Sequence, residues 1–329
     1  MSKLRKFRRN PELFFRDSRH RIVRAVGSIG AGALRRDAVR ALLADPVDAL
    51  SRARVPVVSA AVRAAEARTA ARRRSAIERA GNPEVTVIMA ARNASATIGA
   101  AIDSIAGQSH PNWNLVVVDD ASTDDTRAIA EDRAARDARI RVVAGDAQRG
   151  AAGARNLGLR GATGDYVTFQ DADDTSRPDR LERQLAALVR HPSAVVCLCN
   201  CQRVDARGDV VAINGRRVSK AVVAMLFRRA PVLERLGYFA KLRVSEDAEY
   251  YERMRAVFGD GAEVYVFKTL YLQRYAPSSL LFSDGDTTAV GDGRVVHVRS
   301  AEAEAELARV RDEHRKIRAG EVSGYVDFE

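Results

Sequence analysis

Between residues 85 and 170 short apolar runs alternate with helical stretches of about ten residues, and this pattern restricts the fold more than any other feature. "VTVIMA" (85–90) and residues 115–118, 140–144 and 166–170 read as buried strands. Helices are predicted between them over 97–106, 124–136 and 152–160. Strands buried on both faces lose the polar alternation of a half-exposed sheet, and parallel neighbours need a crossover helix between them. The expectation is an α/β domain with a Rossmann-like sheet and ligands beyond the carboxyl ends of its strands.

Beyond residue 170 the pattern loosens. A helix is predicted over 178–191, a strand over 194–200, and "DARGD" (205–209) turns into another strand. Helices follow at 220–228 and 231–237, then one at 245–259 capped by Ser245. "AEVYVFK" and "LYLQRY" read as two strands, and 301–318 as a charged helix facing solvent or a second copy of the chain. "AGNPEV" (80–85) punctuates the chain before this region. The expected division is 1–80, 81–300 (in halves 81–175 and 176–300) and 301–329.

Charge is uneven. Residues 1–80 hold 20 Lys/Arg against 7 Asp/Glu, whereas residues 81–329 hold 34 against 36, so the net +11 belongs to the N-terminal segment. There Asn10, Pro11 and Glu12 give a helix start, and Phe15, Ile22 and Val26 share one face ringed by Arg16, Arg19, Arg21 and Arg24. Residues 1–30 suit an anionic membrane surface, or docking on the next domain or a homo-oligomeric partner. No nucleic-acid motif accompanies the charge. No apolar run spans a bilayer and no signal-peptide core is present, so the expected location is cytoplasmic or peripheral on the inner membrane face. Cys197, Cys199 and Cys201 alternate along one strand and read as buried reduced thiols rather than a metal claw.

Three acidic stations carry the chemistry. "FQDADDT" places Asp171, Asp173 and Asp174 at a strand end, where an extended chain points Asp171 and Asp173 to one side. Carboxylates about 5 Å apart repel by roughly 0.8 kcal/mol in water and more in a cleft, which Mg²⁺ or Mn²⁺ would relieve. Capping of the following helix by Asp174, Thr175 or Ser176 is the plainer alternative. An EF-hand fails because Ser176 replaces the required Gly. A phosphatase of the haloacid-dehalogenase type would share D-x-D-x-T but needs its later acidic motif downstream, and "VVVDD" (116–120) lies upstream. Asp119 and Asp120 form the second station, where carboxylates can accept hydrogen bonds from a base or ribose and Ser122 or Thr123 can cap the next helix. Glu246 and Asp247 form the third, serving a helix dipole or accepting a proton.

Taken in order, "VTVIMAARNASATIGAAIDSIAGQSHPNWNLVVVDDASTDDT" (85–126), "RGAAGARNLGLRGATGDYVTFQDADDTSRPDRLE" (149–182) and "LGYFAKLRVSEDAEYYERM" (236–254) resemble the family 2 glycosyltransferases of the GT-A fold. The resemblance implies a GT-A-type nucleotide-sugar domain with a mixed, mostly parallel sheet, plus a basic helical N-terminal extension and a C-terminal helix. It implies that the first loop, with Ala90, Ala91 and Arg92, and the pair Asp119 and Asp120 hold the nucleotide, Asp120 at the base. Arg155 and Asn156 would lie near the nucleotide or diphosphate, and Asp171 and Asp173 would hold Mn²⁺ or Mg²⁺. Asp247 would be the catalytic base and Glu246 an acceptor or sugar contact.

The activity implied is inverting transfer from a nucleotide-sugar, a UDP-sugar favoured, to a glycan or lipid-linked acceptor, in bacterial surface-polysaccharide synthesis. A catalytically silent nucleotide-binding scaffold is the alternative. The chain departs from the family in having Ala90 where Pro is common. It also has "QRYAPSSLLFS" from Gln273 where processive members carry Q-x-x-R-W, which points to non-processive transfer. Arg274 would assist the leaving diphosphate or form a structural ion pair, and His297 would be a late metal ligand or pack beside a strand. "KLRKFRRNPELFFRD" is similar to leaders of capsule and surface-polysaccharide enzymes.

Overall fold

A computed structural model describes residues 56–242, 245–276, 285–291 and 293–328, with side chains from residue 66. The chain divides into two compact units, Met1–Ala70 and Ala71–Glu329. The amphipathic helix expected after Asn10, and with it the membrane or partner contact at 1–30, lies outside the described residues. Helix α1 (Pro56–Arg79) ends the basic segment. Its Arg73 is 5 % exposed and donates to Glu182 at 2.7 Å, a buried pair inside the second unit.

The second unit opens as the alternation requires. β1 (Val85–Ala91), α2 (Ile98–Ala106), β2 (Trp113–Asp119), α3 (Thr126–Arg136), β3 (Ile140–Ala144), α4 (Gly150–Arg160) and β4 (Tyr166–Phe169) follow one another. The sheet runs β3-β2-β1-β4 with all pairs parallel. Ala91 pairs with Asp119 and Asp119 with Ala144, so three strands end level, whereas β4 stops earlier, with Phe169 opposite Ile88. Val85, Val87 and Met89 face one buried cluster and Ile88 the other. Each fully buried Val, Ile or Met contributes about 1.5–3 kcal/mol, so any one-residue slip in β1 would be strongly opposed.

The remaining strands extend this sheet. β5 (Thr175–Ser176) leads to α5 (Arg180–Arg190), β6 (Val196–Val204), β7 (Val210–Ile213), β8 (Ser219–Lys220) and β9 (Leu226–Arg228). β9 lies antiparallel between β4 and β6, and β10 (Glu263–Arg274) runs parallel to β6 on its other side. The helix expected at 220–228 is absent; β8 and β9 stand there instead. Ala221, Val223, Ala224, Met225, Leu226 and Phe227 are all at most 3 % exposed, so the run has no polar face for a surface helix. The facing edges of β4 and β6 also gain a backbone partner from it. The two strands expected at 262–275 are one, with irregular register between Val266 and Tyr271.

α6 (Arg229–Arg235) and α7 (Glu246–Phe258) cover the second apolar cluster, and the hairpin of β11 (Gly285–Ala289) and β12 (Arg294–Arg299) extends from β7. α8 (Ala301–Ala319) packs against α7. Its His314 meets Glu249 at 3.2 Å, and Arg253 ties Glu249 to the carbonyls of Leu236, Tyr238 and Gly324. The three cysteines are free and buried. Among the described residues no helix is long and apolar enough to cross a membrane.

Candidate functional site

The level ends of β1 and β2 build one wall. β1 runs through Ala90 and Ala91, so the loop starts only at Arg92, which donates to the Asp120 carbonyl at 3.4 Å. Ala90 packs beside Val116 and Val118. Asn93, at φ 47°, accepts the Thr123 N–H at 2.9 Å and donates its own N–H to Ser122 Oγ at 3.1 Å. The helix after this loop is capped by neither Ser122 nor Thr123: Asp124 Oδ1 accepts from Thr126 N at 3.0 Å and Oδ2 from Ser95 N at 3.1 Å. The Thr126 hydroxyl, which also donates to Asp124 Oδ1, is the main cause that holds the Asp124 carboxyl well below the usual range, with Ser95 and these backbone bonds adding to it. The Ser122 hydroxyl is spent on the neighbouring loop through Asn93.

Asp119 and Asp120 are each 4 % exposed but differ in partners. Asp120 accepts the backbone N–H groups of Arg149 and Gly150 at 2.7 and 2.9 Å, satisfying the orphan donors at the start of α4. Asp119 Oδ1 is buried without a hydrogen-bond partner. A buried carboxylate oxygen left unmet costs about 1–3 kcal/mol, which a ligand donor would recover. Ala121, the next residue, is held at φ 57°.

The D-x-D segment is a turn, not the extended chain expected. Asp174 N donates to the Asp171 carbonyl at 3.2 Å, and this fold-back brings Asp174 beside Asp171 and Asp173, with one oxygen of each within 4.8 Å of the others. Asp173 is exposed, Asp171 half-buried and Asp174 buried. Asp174 does not cap a helix: α5 starts at Arg180, and Asp174 Oδ1 accepts the Arg274 N–H at 2.7 Å while Tyr271 also bonds its carboxylate. The Tyr271 hydroxyl accepts the Asp171 N–H at 3.0 Å, and Gln170 Nε2 donates to the Asp174 carbonyl at 2.9 Å. Desolvation in this crowded mouth and the Asp171 charge push the Asp173 carboxyl up to about 6, although its side chain reaches solvent. Burial, then Asp171 and Asp173, push Asp174 well above the usual carboxylate range. An all-oxygen set under mutual repulsion fits a hard divalent cation. Among the described residues it is the one group of three or more metal-ligating side chains, and His297 stands apart, its Nδ1 2.9 Å from Thr287 Oγ1.

Arg155 joins this turn to α7. Its guanidinium, 4 % exposed, donates to Asp171 Oδ1 at 2.7 Å and bonds Glu246 Oε1. Burial would lower its pKa, but Asp171, Glu246 and Asp247 raise it further, so it stays charged. Asn156 is taken up differently, exchanging two hydrogen bonds with the Phe239 backbone at 3.0 and 2.8 Å and so fixing the segment that leads to α7. Ser245, the expected cap of α7, makes no capping bond and sits at φ 60°. Asp247 follows in the first turn, and burial, with Glu246 and Asp171 adding to it against Arg155, pushes its carboxyl up to about 6. Tyr271, Gln170 and Asp124 were missed by sequence reasoning. Tyr271 lies 100 residues from Asp171, and nothing local marks it.

Comparison with known proteins completes the picture. Residues 86–228 match the model of Glycosyl transferase family 2. The EpsE protein of Bacillus subtilis (strain 168) is 44 % identical over 110 residues, 33 % of this chain and 40 % of that protein. Succinoglycan biosynthesis protein ExoO of Rhizobium meliloti (strain 1021) is 38 % identical over 154 residues, 44 % and 39 % of the two chains. UDP-Glc:alpha-D-GlcNAc-diphosphoundecaprenol beta-1,3-glucosyltransferase WfgD of Escherichia coli is 38 % identical over 107 residues, 32 % and 42 % of the two chains. The chain thus spans about two fifths of the length of these relatives. Among solved structures, S. aureus TarS 1-349 in complex with UDP-GlcNAc superposes with a TM-score of 0.52 at 21 % identity, covering 72 % of this chain and 71 % of that one. Family match and relatives agree that residues 86–228 form a glycosyl transferase family 2 domain, and the shared architecture shows a GT-A-type fold.

Proposed function

We infer that the chain is an inverting, metal-dependent glycosyltransferase that moves a sugar from a nucleotide-sugar to an acceptor hydroxyl in polysaccharide synthesis. The observation that carries this reading is the convergence of two stations from opposite halves: Asp171 of the D-x-D turn and Glu246 of α7 share the Arg155 guanidinium, with Asp247 beside them. ExoO's role in succinoglycan biosynthesis supports the pathway class, and WfgD's UDP-Glc donor and diphosphoundecaprenol-linked acceptor support a UDP-sugar and a lipid-linked acceptor.

The residues divide the work by their partners. Asp119 Oδ1 offers the unmet acceptor to donor groups of the base or ribose, while Asp120 shapes that pocket by fixing the start of α4. Arg92 lines the same wall, with Ala90 beneath it. Asp173 and Asp171, with Asp174 alongside, would hold Mn²⁺ or Mg²⁺. Such an ion, when bound, offsets charge building on the departing diphosphate. Asp247 takes the proton from the acceptor hydroxyl, and a carboxyl poised near 6 is ionised at neutral pH yet basic enough to accept it. Glu246 contacts the acceptor or sugar. Attack opposite the leaving group in one displacement inverts the anomeric carbon and needs no nucleophilic side chain.

The test is incubation with Mn²⁺ and a panel of UDP-, GDP- and dTDP-sugars with a lipid-diphosphate acceptor. Metal-dependent release of nucleoside diphosphate from one donor is expected. No turnover with any donor, and no thermal shift with Mn²⁺ or UDP, would reject the reading.

A further inference from the structure

Arg155 is placed to do more than contact a nucleotide. Its guanidinium sits 5.8 Å from the ring centroids of both Phe169 and Phe239, a buried slot that fixes the plane of the fork. One amino group is spent on Asp171 and the other on Glu246, whose side chains keep 31 % and 12 % of their exposure. Asp171 belongs to the turn after β4 and Glu246 to the first turn of α7, so a single buried cation spans the donor and acceptor halves. Asp171, whose Oδ1 it holds, is also one of the three carboxylates that would hold a divalent cation.

We propose that Arg155 is an ionic latch that shares its charge between Asp171 and Glu246, so that cation binding at Asp171 and the hold on α7 are coupled through it. Arg155 is a positioning residue: it acts on the cation through Asp171 and on the acceptor side through Glu246. When a cation draws on Asp171, the guanidinium leans on Glu246 and holds the α7 turn that carries Asp247. When Glu246 is neutralised, Arg155 falls wholly to Asp171 and opposes the cation. A point-charge ammonium could not serve both, because bridging two carboxylates from one buried slot needs the planar fork.

This inference rests on the metal reading above, and the experiment separates the two. Mn²⁺ affinity is read on the full chain without donor, from the electron paramagnetic resonance signal of free Mn²⁺, for wild type, Arg155→Met, Glu246→Gln and the double variant. Arg155→Met should bind Mn²⁺ about five-fold tighter and Glu246→Gln about five-fold weaker, and the Glu246→Gln effect should vanish in the Arg155→Met background. Should Arg155→Met not fold, Arg155→Lys carries the test and should likewise blunt the Glu246→Gln effect. Additive effects, or unchanged affinity in the arginine variants, overturn the latch while leaving the metal site in place. Wild type that binds no Mn²⁺, with Asp173→Asn the same, removes the metal reading and the latch with it.

Discussion

Asp120 receives the backbone N–H of Gly150 at 2.9 Å, whereas its neighbour Asp119 keeps a buried oxygen with no partner. Two adjacent carboxylates at one strand end thus have separable work. Asp120→Asn should cost about 1–2 kcal/mol of stability, because it weakens a charge-assisted cap at a helix N-terminus. Asp119→Asn should leave stability nearly unchanged and weaken UDP binding. Thermal melts and isothermal titration with UDP check the pair, and equal melting losses in both would refute the division.

Asp247 gives the pH dependence. Its carboxyl is raised to about 6, first by burial, so the reactive base form is lost below that value. The pH profile of kcat/KM, which reports the free enzyme, should rise through about pH 6 and level off above it. Stability runs the other way: the native carboxyl holds its proton where the unfolded chain has released it, so Asp247 disfavours the fold progressively from about pH 4 to 6. Asp247→Asn should abolish the rate, keep donor binding and remove that part of the stability slope. A variant with normal turnover would strip Asp247 of its role.

Ala121 occupies a left-handed conformation at φ 57° that costs an alanine about 1 kcal/mol relative to glycine. The strain is maintained by the stitched loops around Asn93 and Ser122. Ala121→Gly should therefore raise the melting temperature by a few degrees, and Ala121→Val should lower it; calorimetry decides.

Gly158 tests the packing of α4 on the sheet. Helix propensity alone predicts a gain of about 1 kcal/mol for Gly158→Ala. An added Cβ, however, would fall inside the envelope of Ile88 Cγ2, a side chain with no exposure and little room to yield. Overpacking of about 1–3 kcal/mol should win. Urea denaturation should show a net loss, and a gain would mean that α4 can move away from β1.

Legibility in the sequence followed the range of the interactions. β1 to β4 and the helices between them were readable because period and punctuation are local, and their ends fell within three residues of expectation. The run at 220–228 was not, since an unbroken apolar stretch has no period, and its partners β4 and β6 are supplied by distant segments. Neither Ser122 nor Thr123 caps the next helix, because pairing of the two loops drew Ser122 and Thr123 to Asn93, and Asp124 bonds the Thr126 N–H instead.

By itself the sequence determined the order of the acidic stations and their placement at strand and helix ends, because those positions follow from element boundaries. Only the tertiary structure decided how the carboxylates divide. The turn that folds Asp174 in with Asp171 and Asp173 is braced by Tyr271 and the Arg274 backbone from β10, and Arg155 links Asp171 to Glu246, which lies 91 residues from the arginine. Such partners are set by which buried donors and acceptors meet when the sheet closes, and no local pattern encodes that meeting.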